Sequence, residues 1–289
     1  MKKNKEKVGR VVVITGASSG IGLRTKELFE QNGDIVITLA RTNRNNCDNF
    51  YACDVGNEKN VEQVFSLIKE KFGKIDILIN NAGFGVSGAI ELTPMDDIRK
   101  IVNVNIMGVV GCTKYALPLI GRGGKIINIS SVCAMFPLPY RTFYCMTKSA
   151  VNSFSYGLKM ECKPLGIEVG CVCPGDTKTN FTKNRVKIYE TSERYGDRIT
   201  QATSGIDARE DKRMSVDVVA KVVFKLSNRR SLPCHTIVGS KYKFLHFIMR
   251  FFPLGALLRT TERLFGGHKK AKETTRNITK KEGDETNGG

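Results

Sequence analysis

Short β-branched runs alternate along this chain with longer stretches in which apolar residues recur every three or four positions. The first run, Val11 to Thr15, ends in a glycine-rich turn, and the helix after it, through Thr25 to Gln31, closes at Asn32-Gly33. Ile35 to Ala40 is the next strand, Val61 to Phe72 an amphipathic helix stopped by Gly73, and Ile75 to Asn80 a third strand. A helical region from Met95 to Leu119 follows, then a strand at Lys125 to Ser130 and a helix from Tyr140 to Lys163. Gly166 to Cys173 reads as a strand and Val216 to Leu226 as a helix. Strands separated by helices mean βαβ units, with parallel strands and right-handed crossovers. The pattern predicts an α/β fold, a doubly wound parallel sheet.

The same pattern divides the chain. Residues 1–240 read as a single domain, interrupted from Thr182 to Asp211 by a polar, weakly periodic stretch. So long an insertion in a compact domain is a lid or binding loop, placed here at about 180–215. Residues 241–267 form a helical extension in which Phe244, Leu245, Phe247, Ile248, Phe251 and Phe252 mix with Lys and Arg. From His268 to Gly289 the chain loses its hydrophobic residues and is expected to be disordered.

Composition narrows the class. Of 289 residues, 41% are hydrophobic, enough for one large core. The formal charge is +18, concentrated at both ends: Lys2, Lys3, Lys5, Lys7 and Arg10, then Lys269, Lys270, Lys272, Arg276, Lys280 and Lys281. Charge alone does not choose between nucleic acid, an anionic surface and a phosphate-bearing ligand. Basic and aromatic residues do not interleave as nucleic-acid modules require, so no nucleic-acid partner is expected. The nine cysteines lack disulfide or CxxC spacing. Cys171 and Cys173 share a strand face with no His nearby, so no metal site is expected. The cysteines read as reduced, buried small hydrophobes of a cytoplasmic protein. The run Val11 to Ile14 is too short for a signal peptide, and no stretch reaches the ~20 apolar residues of a spanning helix.

Chemistry enters at the first turn. Gly16, Ser18, Ser19, Gly20, Ile21 and Gly22 join the first strand to the first helix. Glycines there let backbone approach a pyrophosphate, and the helix N-terminus offers N–H groups and a positive dipole end, the dinucleotide-binding device of Rossmann-type folds. An NAD site places a carboxylate at the end of the second strand; here Thr38-Leu39-Ala40 runs into Arg41, whose guanidinium suits the 2′-phosphate of NADP.

Tyr144 and Lys148 lie four residues apart on a predicted helix, hence on one face. A lysine close to a phenol favours the phenolate and draws its pKa down from about 10. Ser131 follows a strand at the carboxyl edge of the sheet, where α/β ligands bind. Together with Asp54-Val55, Asn80-Asn81-Ala82-Gly83, Asn105 and Pro174-Gly175 before Thr179, these residues resemble, in order and spacing, the short-chain dehydrogenase/reductase family. The resemblance spans approximately residues 8 to 226.

That resemblance implies roles. Tyr144 would exchange the proton, Lys148 would hold the nicotinamide ribose and lower the phenol's pKa, and Ser131 would fix the substrate oxygen. Asn105 would hold a relay water, Asp54 and Val55 would sit at the adenine, Asn81 at the adenine-side ribose, and Thr179 at the nicotinamide amide. The implied activity is an NADP-dependent oxidoreductase interconverting ketone and secondary alcohol. Arg41 carries the choice of NADP over NAD, because Ser19 stands where many NADP-preferring members have a basic residue.

For substrate, Phe84, Val86 and Leu138 join Ser131 and Tyr144 as an expected cleft wall, which suits a lipophilic ketone or alcohol. Val238 to Pro253 resembles, more loosely, the extension of family members that include steroid and retinoid dehydrogenases, and so points towards a hydroxysteroid-like substrate. Residues 244–264 either pack over the cleft or a second subunit, or lie on a membrane as an interfacial helix. The family implies a homodimer or homotetramer built on the two long helices. A competing reading is a non-catalytic nucleotide-binding scaffold or membrane-surface protein that keeps the fold.

Overall fold

A computed structural model describes residues 9–44, 46–179, 181, 185–188, 192–207, 213–249 and 251–267. The lysines before Val8 and the tail from His268 lie outside the described residues. The strands, in chain order, are β1 (Val11–Thr15), β2 (Ile35–Ala40), β3 (Phe50–Ala52), β4 (Ile75–Asn80), β5 (Val86–Ser87), β6 (Ile120–Ile129), β7 (Glu168–Pro174), β8 (Val186–Lys187) and β9 (His235–Val238). The helices are α1 (Gly20–Gln31), α2 (Glu58–Phe72), α3 (Met95–Val102), α4 (Gly108–Ala116), α5 (Thr142–Cys162), α6 (Arg198–Asp207), α7 (Val216–Ser227), α8 (Ser240–Met249) and α9 (Leu254–Phe265).

Among the described residues, seven strands form one parallel sheet in the order β3-β2-β1-β4-β6-β7-β9. Both faces are covered, which explains why β1 reads as an unbroken apolar run rather than an alternating one. Val12 and Ile14 pack with Phe29, Val219 and Val223 under α1 and α7. Val11 and Val13 face the opposite core with Val61, Phe65 and Cys112, under α2 and α4. The order reverses between β1 and β4, and such a switch point opens a crevice at the carboxyl ends of the strands. The Rossmann-type α/β expectation is therefore met.

Local differences have local causes. The helix expected from Met95 to Leu119 is three pieces: α3, a π-helical turn at Asn103–Met107 and α4, with a 3₁₀ turn at Leu117–Leu119. β6 starts at Ile120, ahead of the expected Lys125, because the register shifts between Ile75 and Ile77 of its partner and a glycine-rich, charged stretch fills the irregularity. α5 begins at Thr142 instead of Tyr140, since Tyr140 sits at φ +58° and cannot continue a right-handed helix. The short edge strands β3 and β9 carry too few residues for a period to show.

The polar insertion is partly structured. β8 pairs in parallel with β5, Val86 opposite Val186, and α6 follows. The nine cysteines are all free thiols, seven of them buried.

Candidate active site

The turn between β1 and α1 closes through glycine. Gly16 and Gly20 have φ of +67° and +58°, a region L side chains rarely adopt. The Gly16 N–H donates to the carbonyl of Leu39 at 2.7 Å. A Cβ on Gly22 would stand 2.4 Å from Asn81 Nδ2 and 2.5 Å from the Gly16 carbonyl oxygen. Asn81 explains the crowding: its amide donates to the carbonyls of Thr15 (3.0 Å) and Gly16 (3.1 Å), and its backbone N–H donates to Thr15 Oγ1. The resemblance implies that Asn81 meets the adenine-side ribose; in the structure its amide nitrogen braces the glycine turn. Ser19, at the N-cap of α1, makes no side-chain capping bond, so its hydroxyl leaves the first-turn N–H groups to a ligand.

A cleft of about 840 Å³ runs from this turn across the carboxyl edge of the sheet. Gly16, Ser18, Ser19, Gly20 and Ile21 line one part, with Arg41, Asp54 and Val55 beyond. Asn81, Phe84, Ser131, Tyr144 and Lys148 line the other part, with Pro174, Gly175 and Thr179. Gly22 and Asn105 stand behind this wall, and so do Leu138 and Val86, both expected in the substrate wall; Val86 is buried because its strand pairs with Val186. Leu138 gives its N–H to Cys145 Sγ, and Phe136 is packed in the core with Val132 and Ile237, so this loop presents less apolar surface to the cleft than its sequence promised. The fit to a dinucleotide rests on the glycine turn, where side chains would fill the space, and on the length of the cleft.

Asn105 is fully buried in the π-helical turn. Its Oδ1 accepts the Phe84 N–H at 3.0 Å, and its Nδ2 donates to the Phe84 carbonyl at 2.9 Å and to Thr147 Oγ1 at 3.1 Å. A π turn inside a helix is the kind of irregularity that re-aims a functional side chain. Ser131 caps the 3₁₀ turn after β6, accepting from the Cys133 N–H at 3.1 Å. Ser130 instead donates to the Lys148 carbonyl, a supporting role.

Lys148 Nζ donates to the Ile129 carbonyl at 2.9 Å and lies 5.9 Å from the centre of the Tyr144 ring. Burial pushes its pKa down to about 8. Burial also raises the Tyr144 phenol above its ordinary value, helped by the charge of the Cys133 thiolate, while a hydrogen bond with Ser131 and the Arg141 charge oppose it. The expected lowering of Tyr144 by Lys148 is not found: burial governs both groups and drives each towards its neutral form.

Several cleft residues carry no signal that the sequence reading used. Phe181 stacks obliquely on Tyr144, ring centres 5.4 Å apart. Arg141 is buried beside Tyr144, and its Nε and Nη2 have no hydrogen-bond partner among the described residues. Cys133 is held down to about 7 by a hydrogen bond from Cys145. Thr42 and Arg44 join Arg41 beyond β2. Arg141 lies three residues before Tyr144 and Phe181 two after Thr179, so distance along the chain from the recognised residues was the available clue.

Comparison with known proteins agrees with this geometry. The family model for "short chain dehydrogenase" matches residues 10–190. A 3-ketodihydrosphingosine reductase of Bacteroides thetaiotaomicron is 35% identical over 236 residues, covering 80% of this chain and 88% of that protein. A short-chain dehydrogenase from Streptomyces avermitilis superposes with a TM-score of 0.74 at 26% identity, covering 89% of this chain and 97% of that one. ElxO, solved with NADP bound, superposes at 0.66 with 29% identity over 81% of this chain and 98% of its own. A strand-to-helix glycine turn, a π-turn asparagine and a serine, tyrosine and lysine on one wall, together with these matches, place the chain in the short-chain dehydrogenase/reductase family, as an oxidoreductase.

Proposed function

We propose that this oxidoreductase uses NADPH to reduce a ketone on a lipophilic, long-chain substrate. The observation that carries the reading is the Tyr144 phenol, kept protonated by burial next to Ser131. A neutral phenol is the form that gives a proton to a developing alkoxide. Ser131 and Tyr144 would hold the substrate oxygen between them, and the bound nicotinamide supplies the hydride. Lys148, with one N–H given to Ile129, keeps donors for the nicotinamide ribose, and Asn105 fixes the Phe84 backbone beneath it.

NADPH is favoured over NADH by the basic end of β2. Arg41 and Arg44 are exposed cleft residues there, and no carboxylate ends the strand to accept from a ribose 2′-hydroxyl. Support for the substrate class comes from the Bacteroides relative, whose name specifies a ketone with a long alkyl chain, and from Phe84, Phe181 and Val186 in the cleft wall. A hydroxysteroid is the other lipophilic class to test.

The experiment is a nicotinamide absorbance assay with NADPH and NADH over 3-ketodihydrosphingosine, keto-steroids, retinal and small ketones. NADPH-dependent turnover concentrated on long-chain ketones is the expected result. Preference for NADH, or for small polar ketones alone, overturns the cofactor or the substrate half of the reading respectively.

A further inference from the structure

Beyond β9 the chain does something the catalytic domain has no need of. α8 and α9 each lack a single fully buried residue, yet they carry large apolar side chains. Phe244 is 66% exposed and Phe251 71%, and Phe247, Phe252, Leu254 and Leu258 are exposed as well. On α8, Phe244 and Phe247 continue into Phe251 at three- and four-residue steps, and the rings of Phe247 and Phe251 touch edge to face, 5.5 Å apart. The bend at Phe251, Phe252, Pro253 and Leu254 is exposed throughout. Exposed cations flank the apolar residues: Lys241 and Lys243 on α8, Arg259 and Arg263 on α9.

The two helices are nevertheless fixed in place. The Tyr242 hydroxyl donates to Asp176 Oδ2 at 2.8 Å, and its ring lies so close to Gly175 that a Cβ there would fall 2.0 Å from Cε2. Leu245 and Met249 pack against Val132 and Phe136, next to Ser131. After α9, Gly267 returns to the start of α6, its missing Cβ 2.5 Å from the Arg198 carbonyl oxygen. The extension is thus a pair of helices anchored near both ends, with the aromatic bend between them exposed.

We propose that this pair of helices seats the enzyme on an anionic lipid bilayer, its phenylalanine bend entering the acyl boundary and its lysines and arginines meeting lipid phosphates. Aromatic tips with basic neighbours are what an interfacial helix requires, and a chain of formal charge +18 adds long-range attraction to a negative surface. A second copy of the chain fits the patch less well. A twofold contact sets the same surface against itself, bringing the lysines and arginines of one copy near those of the other. Seating here would bring the side of the cleft lined by Val132 and Gly175, against which the extension packs, towards the lipid from which a lipophilic substrate comes, although the lipid contact itself does not depend on the substrate reading.

The chain has no tryptophan, so Phe251→Trp in the full-length protein gives a single fluorescent reporter at the bend. Its emission should shift to the blue with vesicles of mixed phosphatidylcholine and phosphatidylglycerol, less with phosphatidylcholine alone, and the shift should weaken with salt. In cosedimentation, Phe251→Ser with Phe252→Ser should lower vesicle binding on the order of tenfold or more. The same variant should keep its turnover of a water-soluble ketone, which shows that it folds. No blue shift and no cosedimentation with anionic vesicles overturns the proposal. So does a wild-type dimer that the double serine variant converts to monomer without any vesicle binding, since a second copy would then own the patch.

Discussion

Asn105 and Phe84 grip each other through two hydrogen bonds, Phe84 N–H to Asn105 Oδ1 at 3.0 Å and Asn105 Nδ2 to the Phe84 carbonyl at 2.9 Å. The amide thus stands in for a strand partner at a point where the backbone has none. Replacing it with an apolar group of similar size would leave the Phe84 N–H and C=O buried without partners. Asn105→Leu should destabilise the protein by about 2–6 kcal/mol, at about 1–3 kcal/mol for each of the two orphaned groups. Asn105→Asp keeps the acceptor and should lose less. Denaturant unfolding of the two variants checks the order, and equal loss would show that the grip on Phe84 is not what Asn105 supplies.

Gly22 makes room for Asn81. Gly22→Ala places a methyl group 2.4 Å from Asn81 Nδ2, so either the asparagine or the turn must move. Nicotinamide cofactor affinity, read by fluorescence titration, should fall at least tenfold, with a smaller change in melting temperature. Unchanged affinity would mean that the turn relaxes without harm to the phosphate cradle.

Arg41 is placed to meet a 2′-phosphate. A charge-assisted hydrogen bond is worth about 1.5–3 kcal/mol, so Arg41→Asp should raise KM for NADPH by about 10–100-fold while leaving or improving use of NADH. Steady-state kinetics with both cofactors test this. Equal loss with both would make Arg41 a general cofactor contact.

Lys148 is held at a disadvantage that the fold tolerates. Its folded pKa is near 8 and its unfolded value near 10.5, so between these values the unfolded chain binds the extra proton. Stability therefore rises with pH from about 8 to about 10.5, and below 8 the buried charge weighs fully against folding. Lys148→Met should remove that penalty and stabilise the protein at pH 7 by on the order of 2 kcal/mol, with activity lost. Thermal unfolding of both proteins across this pH range should show the gap closing as pH rises.

The Tyr144 phenol, raised by burial, sets the pH dependence of the two directions. Reduction needs the protonated form and should not fall through neutral pH on its account. Alcohol oxidation needs the phenolate and should climb steadily with pH. Tyr144→Phe should lower both by about 10²–10⁴-fold, the usual contribution of a positioned proton donor. A kcat/KM for oxidation that is flat across this range would contradict the assignment of burial as the governing effect.

How far the sequence reaches is clear from single elements. β1, β2 and β4 are buried on both faces, so their apolar runs announce them directly, and Tyr144 and Lys148 share a helix face by spacing alone. Asn105 was named from its place in a family pattern, but the π turn that aims it has no sequence signature, because it differs from a helix by one hydrogen-bond step. Leu138 was placed in the cleft by its position between Ser131 and Tyr144, and the fold turns that loop inward. Arg141 and Phe181 were missed for the opposite reason: one starts a helix and the other lies in a polar insertion, and only folding brings both to the phenol.

Phe84 and Val86 tie two functions to one short stretch. Phe84 is the partner of Asn105, under the proton machinery, while Val86 pairs with Val186, where the insertion lines the cleft. The insertion between Val186 and α7 lies outside the sheet and the proton machinery, so it can vary while this stretch keeps its backbone. Selection for a new substrate therefore has a free module to work on and a hinge point of three residues it must leave alone, and engineered changes of specificity should be sought on the far side of that boundary.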